Sequence, residues 1–281
     1  MINLNGILLD APEATVTIDN RGLNYGDAVF ESIRFSEGKL FFWEDHYFRL
    51  MATMRILRME IPMDFTMEFL SEEILRTIRA FGKTNDPWRV KLLVWRNTGG
   101  KYTPKTHEVA YAISLETLEA PCYNLSDTDC EVELYKDHYV SAGLLATLKT
   151  TNRLINILGS IYAKENFYDN CLLLNTEKQV VEALNGNIFL VSGQSVKTPP
   201  LADGCLNGIM RKQLISIIKR LPEFSFEEKS ISPFDLQKAD GLFITNSIKG
   251  ILPVTKYRKK RFGKETAKFL LPKLNELAKK A

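Results

Sequence analysis

Leu148-Lys149-Thr150-Thr151-Asn152-Arg153-Leu154 is the stretch on which the reading of this chain turns. It sets a lysine at the end of an apolar segment, just ahead of helical spacing that runs over residues 151–168. A lysine attacks a carbonyl carbon only after losing its proton, which burial and neighbouring cations both promote. Taken alone, the same pattern is an exposed lysine before a helix cap. What surrounds it decides between the two.

Further along stands Val181-Glu182-Ala183-Leu184-Asn185-Gly186-Asn187-Ile188-Phe189. Glu182 interrupts a strand-forming run, where a carboxylate is costly unless it has a partner. A protonated ring nitrogen would be such a partner; otherwise Glu182 reads as a salt-bridged edge residue. Leu206-Asn207-Gly208-Ile209-Met210-Arg211 places a glycine at the mouth of a helix over 208–220, whose first N–H groups can hold a phosphate dianion. Thr245-Asn246-Ser247-Ile248-Lys249-Gly250 follows an apolar strand and offers hydroxyl and backbone donors in a turn. In isolation these two are a helix cap and a polar loop. Arg49, one turn into the helix after Trp43, supplies a cation for the same phosphate. A lysine for an aldehyde, an acid for a ring nitrogen and donors for a phosphate together suggest pyridoxal 5'-phosphate.

Around these segments the chain alternates strands and helices. Residues 6–9 and 15–18 predict short strands, and 29–35 with 39–42 a hairpin about Ser36-Glu37-Gly38. Amphipathic helices are predicted over 44–58 and 66–81, followed by paired strands at 89–95 and 109–115. Polar residues at 116–129 read as a hinge loop. Beyond it come strands at 131–134, 171–175, 187–191 and 241–245, and helices over 208–220 and from 265 to the end. An α/β (α+β) chain of two domains is expected: residues 1–117, an interdomain loop at 118–129, and residues 130–281.

Composition narrows the chemistry. With 37 basic and 34 acidic residues interspersed, the net charge of +3 gives no reason to expect nucleic acid. The basic run at 256–261 reads as a solvated face. Four cysteines without CxxC spacing and three scattered histidines point to no metal. Cys171 reads as a small buried hydrophobe. No serine stands in a GxSxG turn. No apolar run is long enough to cross a bilayer, and the N-terminus has no signal-like pattern, so a cytoplasmic chain without membrane contact is expected.

In order, these segments resemble the class IV aminotransferases, the fold-type IV pyridoxal phosphate enzymes. Asp19-Asn20-Arg21-Gly22-Leu23-Asn24-Tyr25-Gly26-Asp27-Ala28-Val29-Phe30-Glu31 is similar to the family's opening DRGxxYGDGxFE, and His46-Tyr47-Phe48-Arg49-Leu50 to its HxxRL helix. The resemblance implies a small N-terminal α/β domain and a larger C-terminal domain with a barrel-like sheet, the cofactor in the cleft between them, and a homodimer. It implies Lys149 as the Schiff-base lysine and Glu182 as the pyridine partner. Arg49, Asn187, Gly208, Ile209, Met210, Asn246, Ser247 and Ile248 would complete the cofactor site. Tyr25, Phe30, Ser32, Lys91, Arg96 and Arg153 would face the substrate.

Within the family the motifs divide. Lys149-Thr150-Thr151-Asn152-Arg153-Leu154, Asn207-Gly208-Ile209-Met210-Arg211 and Arg96-Asn97-Thr98-Gly99-Gly100-Lys101 resemble aminodeoxychorismate lyases. Phe30-Glu31 is the aminotransferase pair. Lys91 and Arg96, if both face the substrate, favour a molecule with more than one carboxylate. The expected reaction is transfer of an amino group from a small amino acid to a 2-oxo acid. The alternatives are release of pyruvate from an amino-cyclohexadiene substrate to give 4-aminobenzoate, and a non-catalytic homologue that only binds the cofactor.

Overall fold

The structure is a computed structural model and describes residues 1–280. The chain divides into two units, Met1–Cys122 with Lys149–Asn152 and the chain end from Ala278, and Tyr123–Leu148 with Arg153–Leu277. In the first unit the elements are β1 (Ile2–Leu4), β2 (Ile7–Leu9), α1 (Arg21–Tyr25), β3 (Ala28–Ser36), β4 (Lys39–Leu40), α2 (Trp43–Ile56), α3 (Met67–Ala80), β5 (Trp88–Arg96) and β6 (Val109–Thr117).

The six strands form one antiparallel sheet in the order β2-β1-β6-β5-β3-β4. Strand alternation sends Val29, Ile33 and Phe35 of β3 to one face with Val90, Leu92 and Val94 of β5. There they share a core with Leu50 and Met54 of α2 and Leu70, Ile74 and Ile78 of α3. The β3–β4 hairpin turns on Glu37 and Gly38, both at positive φ (50° and 79°), as a two-residue loop of this twist requires. Thr66 caps α3 by accepting from the Phe69 N–H at 3.1 Å. Residues 15–18 are not a strand: Val16 and Ile18 are 52% and 84% exposed and have no partner strand to pair with.

The second unit contains β7 (Glu131–Val140), α4 (Leu154–Glu165), β8 (Asn170–Asn175), β9 (Val180–Ala183), β10 (Asn187–Ser192), β11 (Ser195–Thr198), α5 (Ile209–Lys219), β12 (Ser225–Glu228), α6 (Pro233–Lys238), β13 (Gly241–Asn246), β14 (Gly250–Val254), β15 (Lys256–Tyr257), β16 (Lys260–Arg261) and α7 (Glu265–Lys280). Its strands form two five-stranded sheets, β12-β11-β10-β13-β14 and β16-β15-β7-β8-β9. One apolar core draws on both, with Leu134, Leu172 and Val180 from the second packed among Ile188, Leu190, Leu242 and Ile244 from the first. Buried on both faces, β8 reads in sequence as a continuous apolar run. Cys171 lies within it, its thiol pushed up to about 11 by burial. No helix of the described residues is long and apolar enough to cross a membrane.

Residues 151–153, the start of the predicted helix, are not helical. The Phe30 N–H donates to the Lys149 carbonyl at 3.0 Å, the Thr151 N–H donates to the Ala28 carbonyl at 3.0 Å, and Val29 bridges Thr150 antiparallel. This short ribbon lies along the start of β3, and α4 begins only at Leu154. Backbone pairing has replaced the first helical turn.

Gly26 makes that docking possible. It ends α1 in the left-handed region (φ 63°), and its carbonyl accepts from Thr151 Oγ1 at 3.2 Å and Asn152 Nδ2 at 3.1 Å. A Cβ here would stand 2.3 Å from Asn152 Oδ1. Gly26→Ala is therefore expected to cost about 2 kcal/mol, from left-handed strain plus the displaced Asn152 bond. Thermal unfolding would show it as a midpoint lowered by several degrees; an unchanged midpoint would contradict this account.

Candidate active site

On the face of the first sheet away from the helices, Phe30, Ser32 and Lys91 come together. Ser32 and Lys91 are direct cross-strand partners, and Phe30 is two residues from Ser32 on the same side. The Lys149 Nζ lies 4.4 Å from the Phe30 ring centroid and the Lys91 Nζ lies 5.6 Å from it. Two amines thus approach one aromatic ring, whose negative face attracts a cation. Lys149 reaches this place because the ribbon fixes its backbone. The nearby Arg34 donates to the Cys122 carbonyl at 3.1 Å and also to that of Ala120.

Glu31, between Phe30 and Ser32, points the other way into the helix-covered core. Its carboxylate accepts from Arg49 Nε at 2.8 Å and from Arg49 Nη2, and its Oε2 lies 2.7 Å from His46 Nδ1. Burial by itself would raise the Glu31 pKa, but the Arg49 charge and then His46 bring it to about 2. His46 is pushed down by burial, against the pull of Glu31 and with the Arg49 and Lys149 charges adding to the effect. Its Nδ1 faces the carboxylate, and its Nε2 is buried with no hydrogen-bond partner among the described residues. Paired through two nitrogens, the Arg49 guanidinium is held in one orientation.

Arg96 sits elsewhere than expected. It is 5% exposed, and it donates to Asp27 Oδ2 at 2.9 Å, to the Leu57 carbonyl at 2.7 Å and to the Arg58 carbonyl at 2.9 Å, with His107 Nδ1 also at 2.9 Å. These bonds tie the end of α2 to β5, so a substrate-facing role for Arg96 is corrected to a structural one. Asp27 Oδ2 also accepts from Arg21 Nε at 2.8 Å, and the Arg21 guanidinium lies over the half-exposed Tyr25 ring at 4.9 Å. The opening motif is thus an ion-paired corner with Tyr25 on its rim.

In the second unit Glu182 is 6% exposed in a strand otherwise made of Val180, Val181 and Ala183. Its Oε2 accepts from the Leu206 N–H at 2.8 Å, and the Leu206 carbonyl accepts from Asn187 Nδ2 at 2.8 Å. A Cβ on Gly208 would fall 1.9 Å from Asn187 Oδ1, so only glycine fits where the chain turns into α5. Ile209 and Met210 open that helix, which has no side-chain cap. Arg211 is spent on Glu228 (2.6 Å) and the Pro199 carbonyl (2.8 Å).

The turn after β13 is held by Asn246, whose Oδ1 accepts from the Ile248 N–H (3.1 Å) and the Lys249 N–H (2.9 Å), with Ser247 at its tip. Arg153 donates to the Leu148 carbonyl at 2.8 Å. No cluster of His, Cys, Asp or Glu among the described residues could hold a metal ion.

Sequence reasoning overlooked the Glu31–His46 pair and the Arg21–Asp27–Arg96 corner. The signal for the first was present: Glu31 interrupts the apolar run 28–36 just as Glu182 interrupts its own.

A six-stranded antiparallel unit with three helices, followed by a unit of two packed sheets, is the architecture of fold-type IV enzymes. The chain belongs to the class IV aminotransferase family: the amino-transferase class IV pattern matches residues 28–257. A crystal structure of the branched-chain aminotransferase from Thermoproteus uzoniensis, with norvaline, superposes with a TM-score of 0.83 and 28% identity, over 99% of this chain and 92% of that one. D-alanine aminotransferase of Listeria monocytogenes is 29% identical over 90% of this chain and 86% of its own length. Aminodeoxychorismate lyase of Vibrio harveyi is 25% identical over 91% and 90%. The family is one of enzymes that in general depend on pyridoxal phosphate.

Proposed function

We propose that this chain is a pyridoxal phosphate-dependent aminotransferase that moves the amino group of a small amino acid to a 2-oxo acid. The observation that carries the reading is Lys149, paired by its backbone to β3 and presenting its amine over Phe30. The other residues fit the cofactor's three polar features. Glu182, a carboxylate buried in an apolar strand, suits a protonated ring nitrogen. Gly208 leaves room where a Cβ would not fit, ahead of the uncapped N–H groups of Ile209 and Met210, which suit a phosphate. When bound, the cofactor supplies an aldehyde for the amine and an electron sink for the carbon next to it.

The chain's own residues do the rest. The Lys149 Nζ would take the proton from the substrate carbon that bears the amine and give it to the carbon of the cofactor's aldehyde, a role worth about 10²–10⁴-fold. Glu182 keeps the ring nitrogen protonated, positioned with Asn187. Arg49, oriented by Glu31, and the turn Asn246-Ser247-Ile248 bind the phosphate together with α5. Lys91, Ser32, Tyr25 and Arg153 orient the substrate, Lys91 through an acidic group. The protein acts as a homodimer in the cytoplasm.

One observation favours a second reading, the lyase that frees pyruvate and 4-aminobenzoate. Lys91 stands opposite Ser32 and shares the Phe30 ring with Lys149, which suits a substrate carrying an additional carboxylate. To separate the two, purified protein is incubated with amino donors and a 2-oxo acid, and in parallel with aminodeoxychorismate. Amino transfer in the first reaction is the expected outcome. Pyruvate appearing from aminodeoxychorismate alone would reverse the order of the two readings, and cofactor binding with turnover of neither would leave a non-catalytic homologue. Light scattering at the mass of one chain would remove the homodimer.

A further inference from the structure

We infer that Asn187 is a positioning residue that sets the Glu182 carboxylate by acting through Leu206. Both polar backbone groups of Leu206 are engaged in opposite directions: its N–H donates to Glu182 Oε2 at 2.8 Å, and its carbonyl accepts from Asn187 Nδ2 at 2.8 Å. The same carbonyl accepts from the Gly208 N–H at 2.9 Å, closing a tight turn just before α5. The other end of that same peptide is anchored too, since the Asn207 N–H donates to the Thr147 carbonyl at 3.1 Å. Asn187 itself cannot drift. It is 3% exposed, it begins β10 in register with Thr245 of β13, and its amide oxygen stands 1.9 Å from where a Cβ on Gly208 would be.

The strap from Cys205 to Gly208 therefore has one rigid handle on each side. The two groups lie in successive peptide planes joined at the Leu206 Cα, so loosening the Asn187 handle frees the backbone dihedrals of Leu206, and the direction of the N–H on Glu182 shifts with them. A carboxylate oriented by a fixed donor can meet a ring nitrogen in one geometry; released, it samples several, and its hold on the ring proton weakens. Because the strap continues directly into α5, the same amide also ties the Glu182 side of the cofactor to the phosphate side. This inference rests on the proposed function for its cofactor half, whereas the link from Asn187 to Leu206 can be tested without cofactor.

The experiment uses the full chain as wild type, Asn187→Ala, Asn187→Asp and Gly208→Ala. Asn187→Asp keeps the shape but loses the donor. Gly208→Ala leaves Asn187 in the sequence but drives a methyl against its oxygen, so it reaches the same latch from the other side. In cofactor-free protein, hydrogen exchange at the Leu206 amide is expected to quicken about tenfold in all three variants, while the unfolding midpoint keeps each of them folded. With pyridoxal phosphate, the apparent dissociation constant should rise about tenfold, and the pH midpoint of the bound cofactor's visible spectrum should move down by about one unit. A role confined to stability would leave that midpoint where it is.

Wild-type exchange at Leu206 and a wild-type spectral midpoint in the folded variants would overturn the inference alone. A wild-type chain that gives no visible band with pyridoxal phosphate would instead overturn the proposed function, and the positioning role with it.

Discussion

Replacing Lys149 by Ala is expected to abolish amino transfer, lowering the rate by at least about 10²–10⁴-fold, the usual worth of a positioned general base. The loss should not come from unfolding. The ribbon's bonds to β3 run through the Lys149 carbonyl and the Thr151 N–H, which alanine at 149 leaves in place. Two measurements separate chemistry from stability. Borohydride reduction of the wild type with pyridoxal phosphate should add the cofactor's mass to the peptide containing residue 149, and Lys149→Ala should show no such adduct. Its thermal midpoint should stay near that of the wild type. An adduct on another lysine, or full activity in the variant, would remove Lys149 from the reaction.

Glu31→Gln should produce the largest loss of stability. The substitution leaves the Arg49 guanidinium without its buried counter-charge, a change that costs about 3–5 kcal/mol in comparable settings. It should also alter acid sensitivity. Glu31 is held at about 2, against an ordinary 4.5, so its stabilising share is complete above pH 4.5 and disappears as the pH falls from there toward 2. That share is on the order of 3 kcal/mol. Urea unfolding of the wild type should therefore show stability dropping steeply through this window. The variant should start lower and follow a flatter slope. His46, likewise held below its ordinary 6.5, contributes a loss that begins as the pH falls below that value and continues through its lowered pKa. Equal stability of wild type and variant at pH 7 would mean that Arg49 finds another partner without cost.

What could be read from the sequence was what local chemistry dictates. Gly38 announces the hairpin because its φ of 79° lies in the left-handed region that glycine enters without a Cβ penalty. Helices α2 and α3 announce themselves by apolar spacing, since each buries one stripe against the sheet. Glu182 was legible because a carboxylate among valines demands a partner.

The misreadings share a cause, a distant partner. Thr150-Thr151-Asn152 looks like the start of a helix until β3, more than a hundred residues earlier, takes its backbone bonds. Arg96 is expected to face the substrate until Asp27 and the end of α2 claim its nitrogens. Residues 15–18 carry strand-forming side chains but have no neighbour to pair with.

The ribbon at Lys149–Asn152 has a consequence for how this polypeptide can be cut. Lys149 travels with the first unit, although the sequence on both sides of residues 149–152 belongs to the second. A gene fragment stopping at Cys122 would encode the six-stranded sheet without Lys149 and would bare the rim of β3 from Ala28 to Phe30, a template for unwanted strand association. The complementary fragment would carry Lys149 on a loop with nothing to pair against. Neither piece is a self-sufficient module, so dissection or domain shuffling at the obvious hinge should yield aggregation-prone halves, whereas a nick that leaves both halves together should be tolerated.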